Sequence, residues 1–346
     1  MDLDHDLFEF SDILDLNYSI PDYEDIFPDT ASPEIQPIQI VALTFYALVV
    51  LFGVPGNTVV VWVTGFKMSP SVTSIWFLNL ALADLLCCLS VPLLMVLLAH
   101  GDLWNLGPTA CPVVIGFFHT VMYCSILQLV FISLDRWLLV AKPVWCRDNR
   151  RPKHAVLGCV AVWCMALIGS IPEFVYTQEL NLGDKISFCI KSFTMHGVWL
   201  ITSFRFLLGF LLPFLVIVTC HWMVYRRVRD RKVTHTGGRS KRTLRVIVAV
   251  VLSFFLCWLP MHIVDFLILV TSWDSTLYQP LYLVSVLKLC LPYFNSCLNP
   301  LLYVCLGRGF KKTMNCYLCN ILHLLSKDQV PRTHAINPQG LQKTDD

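Results

Sequence analysis

Seven long apolar stretches separated by short polar links dominate the pattern of this chain. We place them near residues 38–65, 70–99, 107–140, 153–175, 196–231, 239–272 and 279–306. Each is long enough to cross a bilayer, which takes roughly 20 mostly apolar residues. Backbone polar groups in lipid must be paired within the protein, so the stretches are predicted to be helices. The predicted fold is therefore an all-α membrane protein, a bundle of seven transmembrane helices over residues 38–306.

Composition and charge support this fold and give it an orientation. The sequence is 56% apolar and 14% charged, whereas soluble domains carry about 25% charged residues. Of its 26 lysines and arginines, 22 follow odd-numbered stretches, precede even-numbered ones or lie in the C-terminal tail. Because basic loops stay in the cytoplasm, we expect an extracellular amino terminus in a multi-pass protein of the plasma membrane.

The first 37 residues differ sharply from the rest. They contain eleven acidic side chains and no lysine or arginine. Few apolar residues are present to order them, so residues 1–37 are predicted to be a flexible extracellular tail. Asn17 begins an N-glycosylation motif. Tyr18 and Tyr23 lie among acidic residues, a setting that favours sulfation, and the tail offers strong negative charge to a basic partner.

The segment after the seventh stretch combines basic and apolar positions. Residues 307–325 are therefore predicted to form an amphipathic eighth helix on the inner membrane surface. Cys316 and Cys319 within it are either palmitoylated or free thiols. Residues 326–346 are polar and are predicted to form a cytoplasmic tail.

Two of the fifteen cysteines fall at predicted outer positions. Cys111 lies at the outer end of the third stretch and Cys189 in the second outer loop. An oxidising exterior favours a disulfide between them, and two free thiols are the alternative. Polar and apolar residues alternate around Cys189, which favours a small hairpin over the mouth of the bundle.

Asp84 is the clearest polar group inside a predicted membrane helix, because it follows an apolar run in the second stretch. Ionisable groups in membrane spans are costly and usually functional. Ser125, Asn295 and Asn299 are expected to surround it with oxygen and amide groups, which suit a small hard cation. We expect either a Na⁺ site or a water-filled hydrogen-bond network here, and no other cofactor.

Arg205 is an isolated cation in the outer half of the fifth stretch. A cation in an apolar span requires an anionic partner. One alternative is Asp265, about one turn past Pro260 on the sixth stretch, and the other is a carboxylate on a bound ligand. Lys191 in the second outer loop is grouped with these two as a candidate ligand-binding residue.

Several stretches carry groups suited to a change of shape, either at their inner ends or within the span. Asp135 directly precedes Arg136, and a carboxylate can hold a guanidinium in one state and release it in another. Pro260 removes a backbone hydrogen bond and permits a kink. Trp258, close to that kink, is either core packing or a moving element. Tyr303 closes a proline-containing motif at the foot of the seventh stretch. Such an arrangement favours a receptor.

Taken together, the motifs resemble those of the rhodopsin-like G-protein-coupled receptors. The likeness covers about residues 38–320, in order and at matching separations. Its motifs are Gly56-Asn57, Leu82-Ala83-Asp84, Asp135-Arg136-Trp137, Trp163, Pro213, Cys257-Trp258-Leu259-Pro260 and Asn299-Pro300-Leu301-Leu302-Tyr303.

A narrower resemblance is to the anaphylatoxin receptors. Residues 76–92, 142–146 and 205–210 carry it, together with the acidic tail. The receptors for complement component 5a are more similar than those for component 3a, which usually have a very long second outer loop. Chemerin and formyl-peptide receptors match less well.

This resemblance implies a protein ligand bound at two sites. The acidic tail would hold the basic body of the ligand, and the helical pocket would take its carboxyl end, with Arg205 meeting the terminal carboxylate. Inhibitory-type G proteins, calcium release and chemotaxis are the implied output. Three positions depart from the pattern. Trp137 stands where tyrosine or phenylalanine is commoner, His221 replaces an expected tyrosine, and Ser285 replaces an acidic residue for which Asp265 is the candidate substitute.

Other functional classes fit less well. A non-signalling scavenger of the same ligand is the main alternative, but decoy relatives tend to lose the arginine at position 136. Few serines and threonines in the tail give arrestin little to hold, although arrestin and membrane lipid stay candidate partners. A transporter is disfavoured because no internal repeat is evident. No nucleophile–base set supports an enzyme, and nothing suggests a nucleic-acid partner.

Overall fold

The computed structural model of the chain describes residues 36–100, 103–181, 187–191, 195–230, 238–272 and 275–306. Within these ranges, seven helices are long and apolar enough to cross a membrane. They are Pro37–Lys67, Val72–Ala99, Ala110–Ala141, Pro152–Tyr176, Gly197–Arg229, Val251–Val270 and Tyr278–Pro300. The predicted seven-helix bundle is confirmed. Both predicted tails, the eighth helix at 307–325, and Asn17, Tyr18, Tyr23, Cys316 and Cys319 lie outside the described residues.

The bounds of the helices agree closely with the apolar pattern. In chain order they are α1 (Pro37–Trp62), α2 (Val72–Ala99), α3 (Ala110–Ala141), α4 (Pro143–Asn149), α5 (Pro152–Tyr176), α6 (Met195–Phe206), α7 (Leu212–Asp230), α8 (Gly238–Val270), α9 (Tyr278–Ser285) and α10 (Cys290–Leu306). The spans are α1, α2, α3, α5, α6 with α7, α8, and α9 with α10; α4 is a short link between the third and fourth.

Local sequence explains where several helices begin. Ser71 caps α2: its hydroxyl accepts the Ser74 N–H at 3.1 Å, and the Ser74 hydroxyl accepts the Ser71 N–H at 2.8 Å. This reciprocal pair satisfies two backbone donors that the first turn leaves free. Pro143 and Pro152 open α4 and α5, where a missing N–H costs nothing.

The fifth span contains a π-helical turn, Leu207–Leu211, that joins α6 to α7 just before Pro213. A proline inside a helix removes one backbone donor, and widened turns commonly accommodate such defects. The seventh span is also interrupted, because α9 ends at Ser285 and α10 begins at Cys290. Both irregularities lie next to the charged residues described below.

A buried polar network joins α2, α3 and α5. The Trp163 indole N–H donates to Asn79 Oδ1 at 3.0 Å, and Asn79 Nδ2 donates to Gln128 Oε1 at 2.8 Å. Gln128 in turn donates to the Trp76 carbonyl at 3.2 Å. Every link passes from one helix to another, and buried polar groups that are fully paired help to specify a unique packing. The network fixes α3 between its two neighbours.

Strands β1 (Thr177–Asn181) and β2 (Ser187–Lys191) form an antiparallel hairpin directly after α5. Cys189 in β2 is bonded to Cys111 at the start of α3, with Cα atoms 5.6 Å apart. The predicted disulfide is confirmed. We call this side of the bundle the hairpin end, and the opposite side, where Arg136 lies, the basic end.

Candidate functional site

Beneath the hairpin, charged residues from six parts of the chain converge in what we call the pocket cluster. Its members are His119 of α3, Glu173 of α5, Lys191 of β2, Arg205 of α6, Asp265 of α8 and Lys288 in the break between α9 and α10. The fold therefore gathers at one place charges that are far apart in sequence.

Glu173 is the acid at one end of the pocket cluster. Its Oε2 lies 2.7 Å from Lys191 Nζ, and its Oε1 lies 3.3 Å from His119 Nε2 and 3.9 Å from Arg205 Nη1. The side chain is only 3% exposed. A carboxylate this deeply buried requires opposite charges around it. It ties the base of the hairpin to the helices below.

Asp265 is the second acid of the pocket cluster. Arg205 Nη2 donates to its Oδ2 at 2.7 Å, and Lys288 Nζ donates to its Oδ1 at 3.0 Å. Charges consequently alternate in sign across the bundle, from the hairpin to the seventh span. The predicted partnership of Arg205 with Asp265 is present in this arrangement.

The pocket cluster holds more positive than negative charge. Lys191, Arg205 and Lys288 oppose only Glu173 and Asp265, so one positive charge is left over when His119 is neutral. Burial and the nearby Arg205 lower the pKa of Lys191 to about 8. Among the described residues, Arg205 Nε is a buried donor without a hydrogen-bond partner. An added anion would balance the surplus positive charge and accept a hydrogen bond from Arg205 Nε.

Sequence reasoning placed Arg205, Asp265 and Lys191 at a binding site, and the structure brings them together. It missed Glu173 and His119. The signal for Glu173 was available, because an acid within an apolar span is costly and usually functional. His119 gave no such signal, since an uncharged histidine is tolerated in a helix and its partner becomes visible only in the fold.

Halfway along the bundle, Asp84 forms a second polar site, which we call the polar core. Ser125 Oγ donates to its Oδ1 and Asn299 Nδ2 to its Oδ2, both at 2.7 Å. Asn57 Nδ2 donates to the carbonyls of Gly53 and Ser296 at 3.0 Å. These contacts join the first, second, third and seventh spans.

The polar core has spare acceptor oxygens. Among the described residues, Asn57 Oδ1 and Asn299 Oδ1 are buried without hydrogen-bond partners, and Asp84 is fully buried. Asn295 is also buried, with 2% exposure. Oxygen atoms of carboxylate and amide groups are the ligands of hard cations. These oxygen atoms are therefore suitable ligands for a small cation.

A column of aromatic rings leads inward from the pocket cluster. Phe206 stacks on Phe210 with centroids 5.7 Å apart, Phe210 on Phe254 at 5.9 Å, and Phe254 lies 6.2 Å from Trp258. Trp258 is 2% exposed and precedes Pro260 by two residues. Close packing of this kind transmits displacement, because a filled core cannot deform locally without its neighbours moving.

At the basic end, Asp135 is paired with Arg150 rather than with the adjacent Arg136. Arg150 Nε donates to Asp135 Oδ1 at 2.7 Å and Nη2 donates to Oδ2 at 2.8 Å. The guanidinium of Arg136 lies over the Phe77 ring at 5.6 Å instead. Sequence reasoning had no means of finding Arg150, which resembles the other basic residues of that link. Tyr303 lies in α10 near the same end.

The family to which these sites belong follows from comparison with known proteins. The model of the family described as 7 transmembrane receptor (rhodopsin family) matches residues 56–303. The chain belongs to this family of receptors. The predicted membership is thus confirmed, as is the prediction that the protein is a receptor and not an enzyme.

Within this family, the chain is similar to the anaphylatoxin receptors. The C5a anaphylatoxin chemotactic receptor 1 of Oncorhynchus mykiss is 55% identical over 319 residues, 91% of each chain. That of Danio rerio is 52% identical over 295 residues, 83% of each chain. The C3a anaphylatoxin chemotactic receptor of Danio rerio is 40% identical over 278 residues, 79% of this chain and 74% of that one. The predicted resemblance to anaphylatoxin receptors is confirmed.

Replacing Glu173 by Gln should destabilise the solubilised receptor. The change removes the charge that opposes Lys191 and Arg205, and breaking one side of a buried ion pair costs about 3 kcal/mol. We expect a fall of several degrees in the midpoint of thermal unfolding in detergent. Glu179→Gln in β1 is the matched control, and equal midpoints for both variants would show that the pocket cluster is not held by Glu173.

Proposed function

We propose that this receptor binds an anaphylatoxin-type protein at the hairpin end, and that this protein is complement component 5a. Binding activates an inhibitory-type heterotrimeric G protein at the basic end, leading to calcium release and chemotaxis. The observation that carries this proposal is the surplus positive charge of the pocket cluster, with a vacant Arg205 donor. The names of the related receptors supply the ligand class.

The carboxyl end of the ligand is the part that suits the pocket cluster. A free terminal carboxylate supplies the missing negative charge, and a guanidinium binds a carboxylate through two parallel hydrogen bonds. Arg205 would then share its contacts between the ligand and Asp265. Lys191 and Lys288 lie on either side of Arg205. They would continue to neutralise Glu173 and Asp265 when Arg205 turns to the ligand.

The acidic amino-terminal segment supplies the second contact in this proposal. The segment contains eleven acidic residues and no lysine or arginine. Its negative charge would attract a basic ligand over long range. Sulfated Tyr18 and Tyr23 would add to that charge, and a glycan on Asn17 requires the same extracellular location. The chain accordingly lies in the plasma membrane with its amino terminus outside.

The signal would pass inward through the aromatic column and the polar core. A shift at Arg205 moves Phe206, which packs on the rings that end at Trp258. The kink at Pro260 allows the inner part of α8 to move relative to the outer part. Asp135, Arg136 and Tyr303 then present the basic end to the G protein, and subsequently to arrestin, with lipid-modified Cys316 and Cys319 at the membrane.

The proposal is tested by applying purified component 5a and component 3a to cells that express the chain. We expect component 5a to release calcium and to drive nucleotide exchange on an inhibitory-type G protein in isolated membranes. A stronger response to component 3a would reassign the ligand. Saturable capture of either fragment without exchange on any heterotrimer would identify a scavenger instead.

Replacing Arg205 by Ala should weaken the response selectively. Hydrogen bonds to charged groups are worth about 1.5–3 kcal/mol, so potency of a carboxyl-terminal component 5a peptide should fall about tenfold to a hundredfold. The same peptide with an amidated terminus should lose far less. Leu208→Ala, on the membrane-facing side of the same span, is the control. Equal losses for both peptides would remove Arg205 from carboxylate recognition.

We further propose that the polar core binds Na⁺. Asp84, Asn57 and Asn299 would provide oxygen ligands, with Ser125 and Asn295 beside them. The support is the pair of buried amide oxygens without partners around a fully buried carboxylate. A bound ion would supply positive charge that holds the second, third and seventh spans together.

Sodium should therefore stabilise the wild-type receptor. Because an ion that binds only the folded state raises its stability by mass action, the unfolding midpoint in NaCl should exceed that in an equal concentration of KCl. Asp84→Asn should abolish this difference, while Asp148→Asn, an exposed carboxylate of α4, should retain it. Identical midpoints of the wild type in the two salts would favour the water-filled network.

A further inference from the structure

We infer that Lys288 determines ligand specificity: by occupying the Asp265 carboxylate, it makes the pocket cluster prefer a ligand whose last side chain carries no positive charge. This inference rests on the proposed binding of the carboxyl end of a ligand at Arg205. It extends that proposal from the terminal carboxylate to the side chain borne by the same residue.

Lys288 and Arg205 together engage both oxygens of Asp265. Lys288 Nζ donates to Oδ1 at 3.0 Å, and Arg205 Nη2 donates to Oδ2 at 2.7 Å. The Asp265 side chain is only 7% exposed. Hydrogen bonds between ionised groups are among the strongest in proteins. An incoming cation therefore finds this carboxylate already neutralised, and would have to displace Lys288 or Arg205 to reach it.

The break in the seventh span places Lys288 beside Asp265. Helix α9 ends at Ser285, and the Lys288 N–H donates to the Ser285 carbonyl, three residues back, at 3.1 Å. Such a tighter turn directs side chains differently from a regular α-helix. Leu287 and Leu289, on either side of Lys288, pack against the apolar core. The turn that carries the ammonium group is thus anchored by its neighbours.

Glu173, the other acid of the pocket cluster, is also neutralised. Its Oε2 lies 2.7 Å from Lys191 Nζ, and its Oε1 lies 3.9 Å from Arg205 Nη1. The side chain is 3% exposed, beneath the hairpin that carries Lys191. Each acid of the cluster therefore has two cationic partners, and a further cation would add to charge that is already balanced.

The net charge of the occupied pocket depends on the last side chain of the ligand. The three cations of the cluster exceed its two acids by one positive charge when His119 is neutral. A terminal carboxylate cancels this surplus, whereas a carboxylate accompanied by a cationic side chain leaves it in place. Charges in a buried site interact more strongly than in water, and a buried charge without a partner is costly. A ligand with an uncharged last side chain therefore fits better.

Lys288 is the member of the cluster that sets this preference. Without its charge, the two remaining cations would equal the two acids, and Asp265 Oδ1 would be free to accept a bond from a ligand guanidinium. A cationic last side chain would then restore the neutrality that the terminal carboxylate disturbs. The preference should therefore reverse when Lys288 is neutral, a result that a general loss of affinity would not produce.

The experiment uses two synthetic carboxyl-terminal component 5a peptides that differ only in the last residue, arginine in one and citrulline in the other. Citrulline has nearly the length and planar shape of arginine but no charge, and both peptides keep a free terminal carboxylate. Their potencies for calcium release are measured on the same cells. We expect the citrulline peptide to be about tenfold more potent on the wild type, as one unpaired, partly buried charge implies.

Substitutions assign the preference to Lys288. Lys288→Met keeps most of the side-chain length without the charge, and the arginine peptide should become the more potent of the two. Lys288→Arg keeps the charge and should keep the wild-type order. Lys153→Met, which removes an exposed lysine of α5 at the basic end, should leave the potency ratio unchanged. The ratio of two potencies on one variant does not depend on receptor number, and Lys288→Gln supplies a second neutral side chain if Lys288→Met expresses poorly.

Several results would overturn the inference. Equal potencies on the wild type, or a more potent arginine peptide, would do so while leaving the proposed function standing. A preference for citrulline that persists in the neutral variants would assign the specificity to another group. A response to intact component 5a but to neither peptide would show that the carboxyl end is not the part recognised, which also overturns the inference. No response of the wild type to intact component 5a would instead remove the proposed function, and this inference with it.

Discussion

Pairing of buried charges with opposite charges or hydrogen-bond donors is the constraint on which the three polar sites of this receptor depend. A membrane span leaves each ionisable side chain to find its partner within the protein. Glu173 and Asp265 meet this requirement for the pocket cluster, donors from the third and seventh spans meet it for Asp84, and Arg150 meets it for Asp135. Each of these contacts joins separate parts of the chain, so the buried charges also help to determine how the helices are arranged.

The same pairings make the sites responsive. A buried pair is costly to break, but a new partner of the same charge can offset the loss of the old one. In the proposed binding mode, a ligand carboxylate at Arg205 would exchange with Asp265 in this sense. Tightly packed aromatic rings lead inward from the pocket cluster, so a displacement of Phe206 would pass along them toward Trp258.

Much of this architecture was predictable from sequence. The seven spans follow from apolar length, the disulfide from the position of two cysteines, and the importance of Asp84 and Arg205 from the rarity of charge in lipid. The identity of the partners was not predictable, because it depends on how the helices rotate and cross. Glu173 was overlooked although the same rarity argument applied, and Arg150 is one of many basic residues that charge asymmetry alone cannot separate. Asp135 shows the limit most clearly: its sequence neighbour is Arg136, yet its bonded partner lies fifteen positions further on.

The disulfide has an electrostatic as well as a mechanical consequence. Lys191 stands two positions after Cys189 on the same strand, so the covalent bond to α3 also fixes where that ammonium group sits above Glu173. A chain whose two outer thiols stayed reduced would contain every residue of the pocket but not the same distribution of charge at its mouth. The proposed recognition of a ligand carboxylate would in this respect depend on oxidative maturation as well as on the polypeptide sequence.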